Sequence, residues 1–335
     1  MLIQFIPAQS LIQYLLPKWQ VSVWHIFCLY PLNFILYLCM LIRNIFLFSV
    51  VLLKIHNYAG CDDNSAKKSG KSPGEITHLP FAYDLSEPTR IELPKELNEI
   101  SGIVYYPKDT SIFSIVDEDG LFYKTYLNRN NQSKVWRFDK KHDFEDLVLQ
   151  DSTFYILVSN GDIDKVKFYA DSISLIKSKF PDADKKINEF EALYYDEQAK
   201  KLVMICKNCE EDKEDKKQVT ACGISLDSLQ YSPDLYHINV QPVAEKLGVE
   251  KLHLKPSAAA FNPVTKDLYV LASVNKLLLI FDQKGQFKDV FKLDALMFKQ
   301  PEGLAFTPQG EMIISNEAGK NGGSANILIF KYKKQ

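Results

Sequence analysis

One pattern recurs five times between residues 98 and 319: a polar or acidic residue, a short apolar run, a turn, and a second apolar run. It reads NEISGIVYYPKDTSIFSIVDEDG from Asn98, DFEDLVLQDSTFYILVSNGD from Asp143, EFEALYYDEQAKKLVMICKN from Glu189, KPSAAAFNPVTKDLYVLASVN from Lys255 and QPEGLAFTPQGEMIISNEAG from Gln300. Aligned on Glu99, Glu145, Glu191, Ser257 and Glu302, the steps are 46, 46, 66 and 45 residues. A unit of this size cannot bury both faces of its own sheet, so copies must stack against one another, and the period is that of a propeller blade.

Strand and turn signals within each unit fit that reading. In the first, residues 100–106, 111–116, 121–127 and 133–138 alternate with the turns Pro107-Lys108-Asp109 and Asp119-Gly120. Four strands per unit is the composition of a blade. The last unit stops after three strands, and residues 89–93 form an orphan strand ahead of the first. Joining the two closes a ring, with the N-terminal strand completing the C-terminal blade. The fold expected is therefore all-β, a β-propeller of four-stranded blades, five by repeat count. A six-bladed ring is the alternative, but the 66-residue step that would house the extra blade already contains a charged insertion at 207–217 and a helix at 243–247.

The ordered set Glu99-Ile100-Ser101-Gly102, Asp117-Glu118-Asp119-Gly120, Glu191-Ala192-Leu193, Lys255-Pro256-Ser257 and Gln300-Pro301-Glu302-Gly303-Leu304-Ala305 resembles the SdiA-regulated β-propeller proteins of bacteria. The resemblance runs from about residue 76 to 331. It implies a grouping with six-bladed, phytase-like propellers and brings no assigned activity with it. Ala192 and Asp146 stand where the family prefers Gly after Glu.

The chain ends differ in character. Residues 1–60 carry Lys18, Arg43 and Lys54 and no acid, which leaves 37 basic against 42 acidic side chains in the remainder. A mildly acidic body with no basic stripe argues against a nucleic-acid partner. Residues 40–61 have the order of a secretory signal: a charged start, an apolar run at 45–53, and Ala59-Gly60-Cys61, which resembles a bacterial lipobox. Cys61 is the expected lipidation site, and Asp62-Asp63 behind it resembles an acidic export signal for surface lipoproteins. Residues 21–42 are long and apolar enough to span a bilayer. A start at Met40, with residues 1–39 an artefact of start-site assignment, is preferred to a true anchor. Residues 1–60 are thus read as leader, 61–75 as a polar tether, and 76–335 as the propeller. The expected location is the bacterial cell envelope, as an outer-membrane lipoprotein exposed at the surface and held to the membrane by lipid.

First strands of propeller blades line the central channel, so Glu99, Glu145, Glu191 and Glu302 are expected to share one mouth. Crowded carboxylates raise one another's pKa or recruit a hard cation such as Ca²⁺. Equally, each could cap backbone amides of the next blade as a latch. A second set, Asp117, Glu118, Asn160, Asn316 and Glu317, follows the second strands and is offered either as mouth ligands or as ordinary turn chemistry. Cys206, Cys209 and Cys222 are candidates for a disulfide, with Cys222 bridging to one of the other two. No nucleophile elbow, H-E-x-x-H or phosphate loop occurs. The function expected is a binding or scaffold module rather than an enzyme, with a calcium-dependent phosphoesterase as the alternative.

Overall fold

The computed structural model describes residues 81–128, 133–170, 172–181, 188–213, 217–319 and 322–334. The leader, the apolar stretch 21–42, Cys61 and the tether lie outside the described residues.

The first strand, β1 (Thr89–Glu92), precedes blade I, which comprises β2 (Ile100–Tyr106), β3 (Ser111–Val116), β4 (Leu121–Tyr126) and β5 (Ser133–Arg137). Blade II is β6 (Phe144–Gln150), β7 (Thr153–Val158), β8 (Ile163–Phe168) and β9 (Ile173–Ser178). Blade III is β10 (Asn188–Asp196), β11 (Lys201–Cys209), β12 (Gln218–Ser225) and β13 (Tyr231–Asn239), followed by helix α1 (Gln241–Leu247). Blade IV is β14 (Ala258–Phe261), β15 (Leu268–Ala272), β16 (Leu277–Phe281) and β17 (Phe287–Lys292). Blade V takes β18 (Pro301–Phe306), β19 (Met312–Asn316) and β20 (Asn326–Phe330), and its fourth strand is β1. All five sheets are four-stranded and antiparallel, so the chain forms five blades and not the six that the resemblance implies. The long third step holds a one-turn helix at Glu211–Lys213 and α1 in place of further strands.

Burial explains why these segments are strands. Blades pack face to face, so a middle strand is covered on both sides and must be apolar throughout. Accordingly β15, β16 and β19 are buried at every residue, and so is β3. Outer strands such as β5 and β9 have no fully buried residue. Aromatic rings fill the seam between blades I and II: Phe113 and Phe122 each lie 4.8 Å from Phe154, and Phe138 lies 5.0 Å from Phe144, centroid to centroid. The inner strands β2, β6, β10, β14 and β18 touch one another in a closed cycle, which defines the channel.

Closure is made antiparallel between β1 and β20, from Thr89 opposite Ile329 to Glu92 opposite Asn326. The segment before it adds side chains. The Tyr83 hydroxyl donates to Gly310 O at 2.6 Å and accepts from Asn262 Nδ2 at 2.6 Å, and Phe81 stacks on Phe291 at 3.9 Å. One N-terminal stretch thereby ties blades IV and V together.

Candidate functional site

Strand β-pairing sets which residues meet at the channel mouth. In β6, β10 and β18 the ladder slips at Glu145, Glu191 and Glu302, where two residues of the inner strand oppose one of the next. Such a bulge re-aims a side chain out of the strand's alternation. In β2 the slip falls between Ile100 and Ile103, and in blade IV Ser257 donates its N–H to Leu271 O just before β14. The equivalent residues are therefore Ser101, Glu145, Glu191, Ser257 and Glu302. This corrects the sequence alignment in blade I, where Glu99 lies two residues upstream of the ring position.

Glu99 has its own equivalents, Asp143, Glu189, Lys255 and Gln300. A third set follows the second strands at Asp117, Ser159, Ser273 and Glu317, with Lys207 at the equivalent position inside β11. Backbone bonds join the two sets, Asp117 N–H to Glu99 O at 3.1 Å, Ser159 N–H to Asp143 O at 2.9 Å and Glu317 N–H to Gln300 O at 2.9 Å. These positions carry the carboxylates of Glu99, Asp117, Asp143, Glu145, Glu189, Glu191, Glu302 and Glu317, against the ammonium groups of Lys207 and Lys255. The missed members had a signal in the sequence. Ile100, Phe144, Phe190, Pro256 and Pro301 each stand between two polar residues, and aligning on them places Glu99 with Asp143.

Electrostatic coupling shows which of these groups converge. Burial pushes the Glu145 carboxyl up to about 9, helped by the charges of Asp143, Asp117 and Glu302 and opposed by Lys207. Burial likewise pushes Glu317 up to about 8, with Glu302, Asp117 and Glu99 adding to it. Glu302 rises to about 7 through burial, moderated by a hydrogen bond with Ser273 and by Lys207 and Lys276. Asp117 is raised by burial, by a hydrogen bond shared with Asp143, and by the charges of Asp143, Glu118 and Glu99. Its Oδ1 is buried without a hydrogen-bond partner. Glu145 in blade II and Glu302 in blade V are not in neighbouring blades, and the charge of Glu302 is the smallest of the influences on Glu145.

Glu191 differs. Lys207 Nζ donates to its carboxylate and lies 3.1 Å from Glu189, so blade III brings its own counter-ion. Of the second set, only Asp117 and Glu317 join the mouth. Glu118 is exposed and pairs with Lys141 at 3.7 Å. Asn160 Oδ1 accepts from Asp162 N–H at 3.0 Å in a turn, and the buried Asn316 donates to Asn326 Oδ1 at 3.1 Å within blade V.

A latch between blades exists, but it is made by the residue after Glu145. Asp146 is buried and accepts from Leu147 N–H in its own strand and from Leu193 N–H in blade III, both at 2.8 Å. Ser257 Oγ donates to Pro301 O at 2.9 Å, and Ser315 Oγ to Ser101 O at 3.2 Å, at two further seams. Asp146 at the position that the family fills with Gly is thus accommodated: Gly102, its counterpart in blade I, has no Cβ to meet it.

The disulfide joins Cys206 to Cys209, and Cys222 is free. Cys222 lies opposite Met204 across β11 and β12, which leaves Cys206 on a diagonal. Diagonal neighbours are about 7–8 Å apart, too far for a bridge. The Cys222 thiol donates to Pro233 O, and burial pushes its pKa up to about 12.

Closed blades around an acidic mouth define a five-bladed β-propeller. The chain belongs to the SdiA-regulated family, whose model matches residues 89–320. No curated relative matches it in sequence. Among solved structures it is similar to Myxococcus xanthus glutaminyl cyclase at 13% identity, over 73% of this chain and 94% of that one, with a TM-score of 0.51. It is also similar to a luciferin-regenerating enzyme (12%, 73% and 95%, TM-score 0.47) and to the calcium-binding protein regucalcin of Agrobacterium tumefaciens (11%, 76% and 95%, TM-score 0.45). These likenesses are of fold.

Proposed function

We propose that this propeller is a binding module whose channel mouth holds a hard divalent cation, Ca²⁺ by the chemistry of its donors. The observation that carries this reading is the convergence of Glu145, Glu302, Glu317 and Asp117 from three blades, with the buried Asp117 Oδ1 left without a partner. Carboxylate oxygens are the ligands Ca²⁺ prefers; no three of these side chains have their oxygens within 4.8 Å of one another in the structure, so holding the ion requires them to draw together. Asp146, Ser257 and Ser315 already supply hydrogen bonds between blades, so the glutamates are not needed as latches.

Titration gives the test. Unfolded, Glu145, Glu302 and Glu317 ionise near their ordinary value of 4.5, and folded near 9, 7 and 8. Folding therefore takes up protons between those limits. The stability these groups contribute is complete below pH 4.5 and is lost as pH rises through 7 to 9. In chelator, the melting temperature should fall between pH 5 and pH 9. Calcium should restore it at the alkaline end and do little at pH 5, where protons occupy the same oxygens. At a hundredfold excess over Kd the gain is about 2.7 kcal/mol, or roughly 5–10 °C. Glu145→Gln with Glu302→Gln should flatten the pH dependence and remove most of the calcium response. An equal calcium shift in that double variant, or none in the wild type at pH 8, removes the cation from this reading.

The phosphoesterase alternative is not favoured. Lys207 is engaged by Glu189 and Glu191, and a phosphate entering there meets more carboxylates than ammonium groups. An acidic body equally gives no reason to propose a nucleic-acid partner.

We place the module at the bacterial envelope, held by lipid on Cys61, from Ala59-Gly60-Cys61 behind an apolar run. Cys61→Ser should abolish labelling by a palmitate analogue and release the protein from the membrane fraction. Labelling that persists in that variant rules the anchor out.

A further inference from the structure

A second cluster lies at the end of β11, beside the Lys207 that pairs with Glu189 and Glu191. Cys206, Cys209 and Asp212 present two sulfurs and a carboxylate oxygen all within 4.8 Å of one another. Tetrahedral zinc, with Zn–S near 2.3 Å, spaces its ligands by about 3.8 Å, so the two sulfurs, bonded to each other in this structure, must first be reduced and then move apart to form a coordination shell. The spacing C-x-x-C-x-x-D comes from a strand end running into the one-turn helix Glu211–Lys213.

Two features prepare the third ligand and offer a fourth. Asp212 is pinned by Thr220, whose N–H lies 3.1 Å from both carboxylate oxygens and whose Oγ1 donates to Oδ1 at 2.7 Å. Bonds of this kind orient a metal-ligating carboxylate. Cys209 and Asp212 also line a cavity of about 240 Å³ together with His253. The His253 loop is itself anchored, since Asn275 Nδ2 donates to His253 O at 2.9 Å. Sequence alone offers no reason for zinc here, because a lone C-x-x-C lacks a second pair; Asp212 supplies a third donor, and the exposed His253 borders the same cavity without being within 4.8 Å of all three.

We propose that the reduced form of this site binds one zinc ion through Cys206, Cys209 and Asp212, with His253 completing the shell. Disulfide and metal site are alternatives, because both use the same two sulfurs. A dithiol reductant, a small molecule or a thioredoxin-class protein, gives two electrons and two protons to the Cys206–Cys209 bond. The reductant becomes a disulfide and the protein gains two thiols. Zinc then displaces one proton from each thiol and binds the two thiolates.

The test uses the purified full chain, oxidised or reduced, titrated with Zn²⁺ against a chromogenic chelator. Reduced wild type should retain one more zinc per chain than the Cys206→Ser/Cys209→Ser variant, and the oxidised protein should not. Cobalt in place of zinc should give the near-ultraviolet charge-transfer band of thiolate coordination in the reduced wild type alone. Asp212→Asn, which still accepts hydrogen bonds from Thr220 and so keeps the loop, should weaken zinc by at least about tenfold, and His253→Ala by about tenfold. Equal zinc in the reduced wild type and the double-serine variant overturns the site. So does a cobalt spectrum without the thiolate band, or unchanged affinity in Asp212→Asn.

Discussion

A chain beginning at Pro94 is expected to lose its cooperative melt or to melt more than about 10 °C below one beginning at Ile76, and to aggregate. Four observations converge on that outcome. Without β1, the outer edge of β20 is left with unpaired backbone groups from Asn326 to Ile329, and an open edge of this kind templates association with other chains. Leu93 and Tyr83 are both buried, and losing the burial that each contributes costs about 2 kcal/mol. The Tyr83 hydroxyl bonds to Gly310 O and Asn262 Nδ2 go with it, as does the Phe81 stack on Phe291. At roughly 2–4 °C per kcal/mol for a domain of this size, those losses sum to more than 10 °C. Calorimetry and light scattering on the two chains decide it; equal melting temperatures would mean that β1 is an ornament on a ring closed by other contacts.

Gly102→Ala is expected to be nearly as damaging, although it adds one methyl group. A Cβ at residue 102 would sit 2.4 Å from Asp146 Oδ1, 2.6 Å from Asp146 Cα and 2.8 Å from Leu147 N. The last two are backbone atoms of blade II, so no rotamer change relieves the clash and blades I and II must part. Overpacking of this severity costs about 3 kcal/mol, or roughly 6–12 °C. Truncating Asp146 to Ala in the same chain should not rescue it, because the backbone contacts remain and the Leu193 N–H loses its acceptor. A Gly102→Ala protein that melts within a degree or two of wild type would show that the two blades are less tightly apposed than described.

The same close approach bears on the proposed cation site. Asp146, seated against Gly102, bonds across to blade III, and Glu145 is the extra residue of the bulge beside it. Structural latch and candidate ligand are thus consecutive residues of one irregularity. Loosening the seam by substitution at Gly102 should therefore also weaken the calcium response, whereas Glu145→Gln should weaken that response with the seam intact.

Blade number and ring closure were legible in the sequence because they follow from local chemistry repeated in order. Strands such as β3, β15, β16 and β19 are covered on both faces and announce themselves as unbroken apolar runs. The outer strands β9 and β13 were not read, because together they have a single buried residue and the apolar signal thins out. Acid residues near the channel were found, but their register was not: a bulge shifts the count by one or two residues, and only strand pairing shows that Ser101 rather than Glu99 stands level with Glu145. Lys207 is legible in the sequence as a base following a second strand, but its role as counter-ion to Glu191 follows from β11 continuing to Cys209. The cysteine pairing likewise depended on register, since Cys222 is placed by the residue it faces across β12 and not by its distance along the chain. Composition and periodicity determine how many sheets form and which faces they bury, because burial acts residue by residue. Which carboxylates crowd together, and which sulfurs meet, depends on offsets between strands from different repeats, and those are decided only when the ring closes.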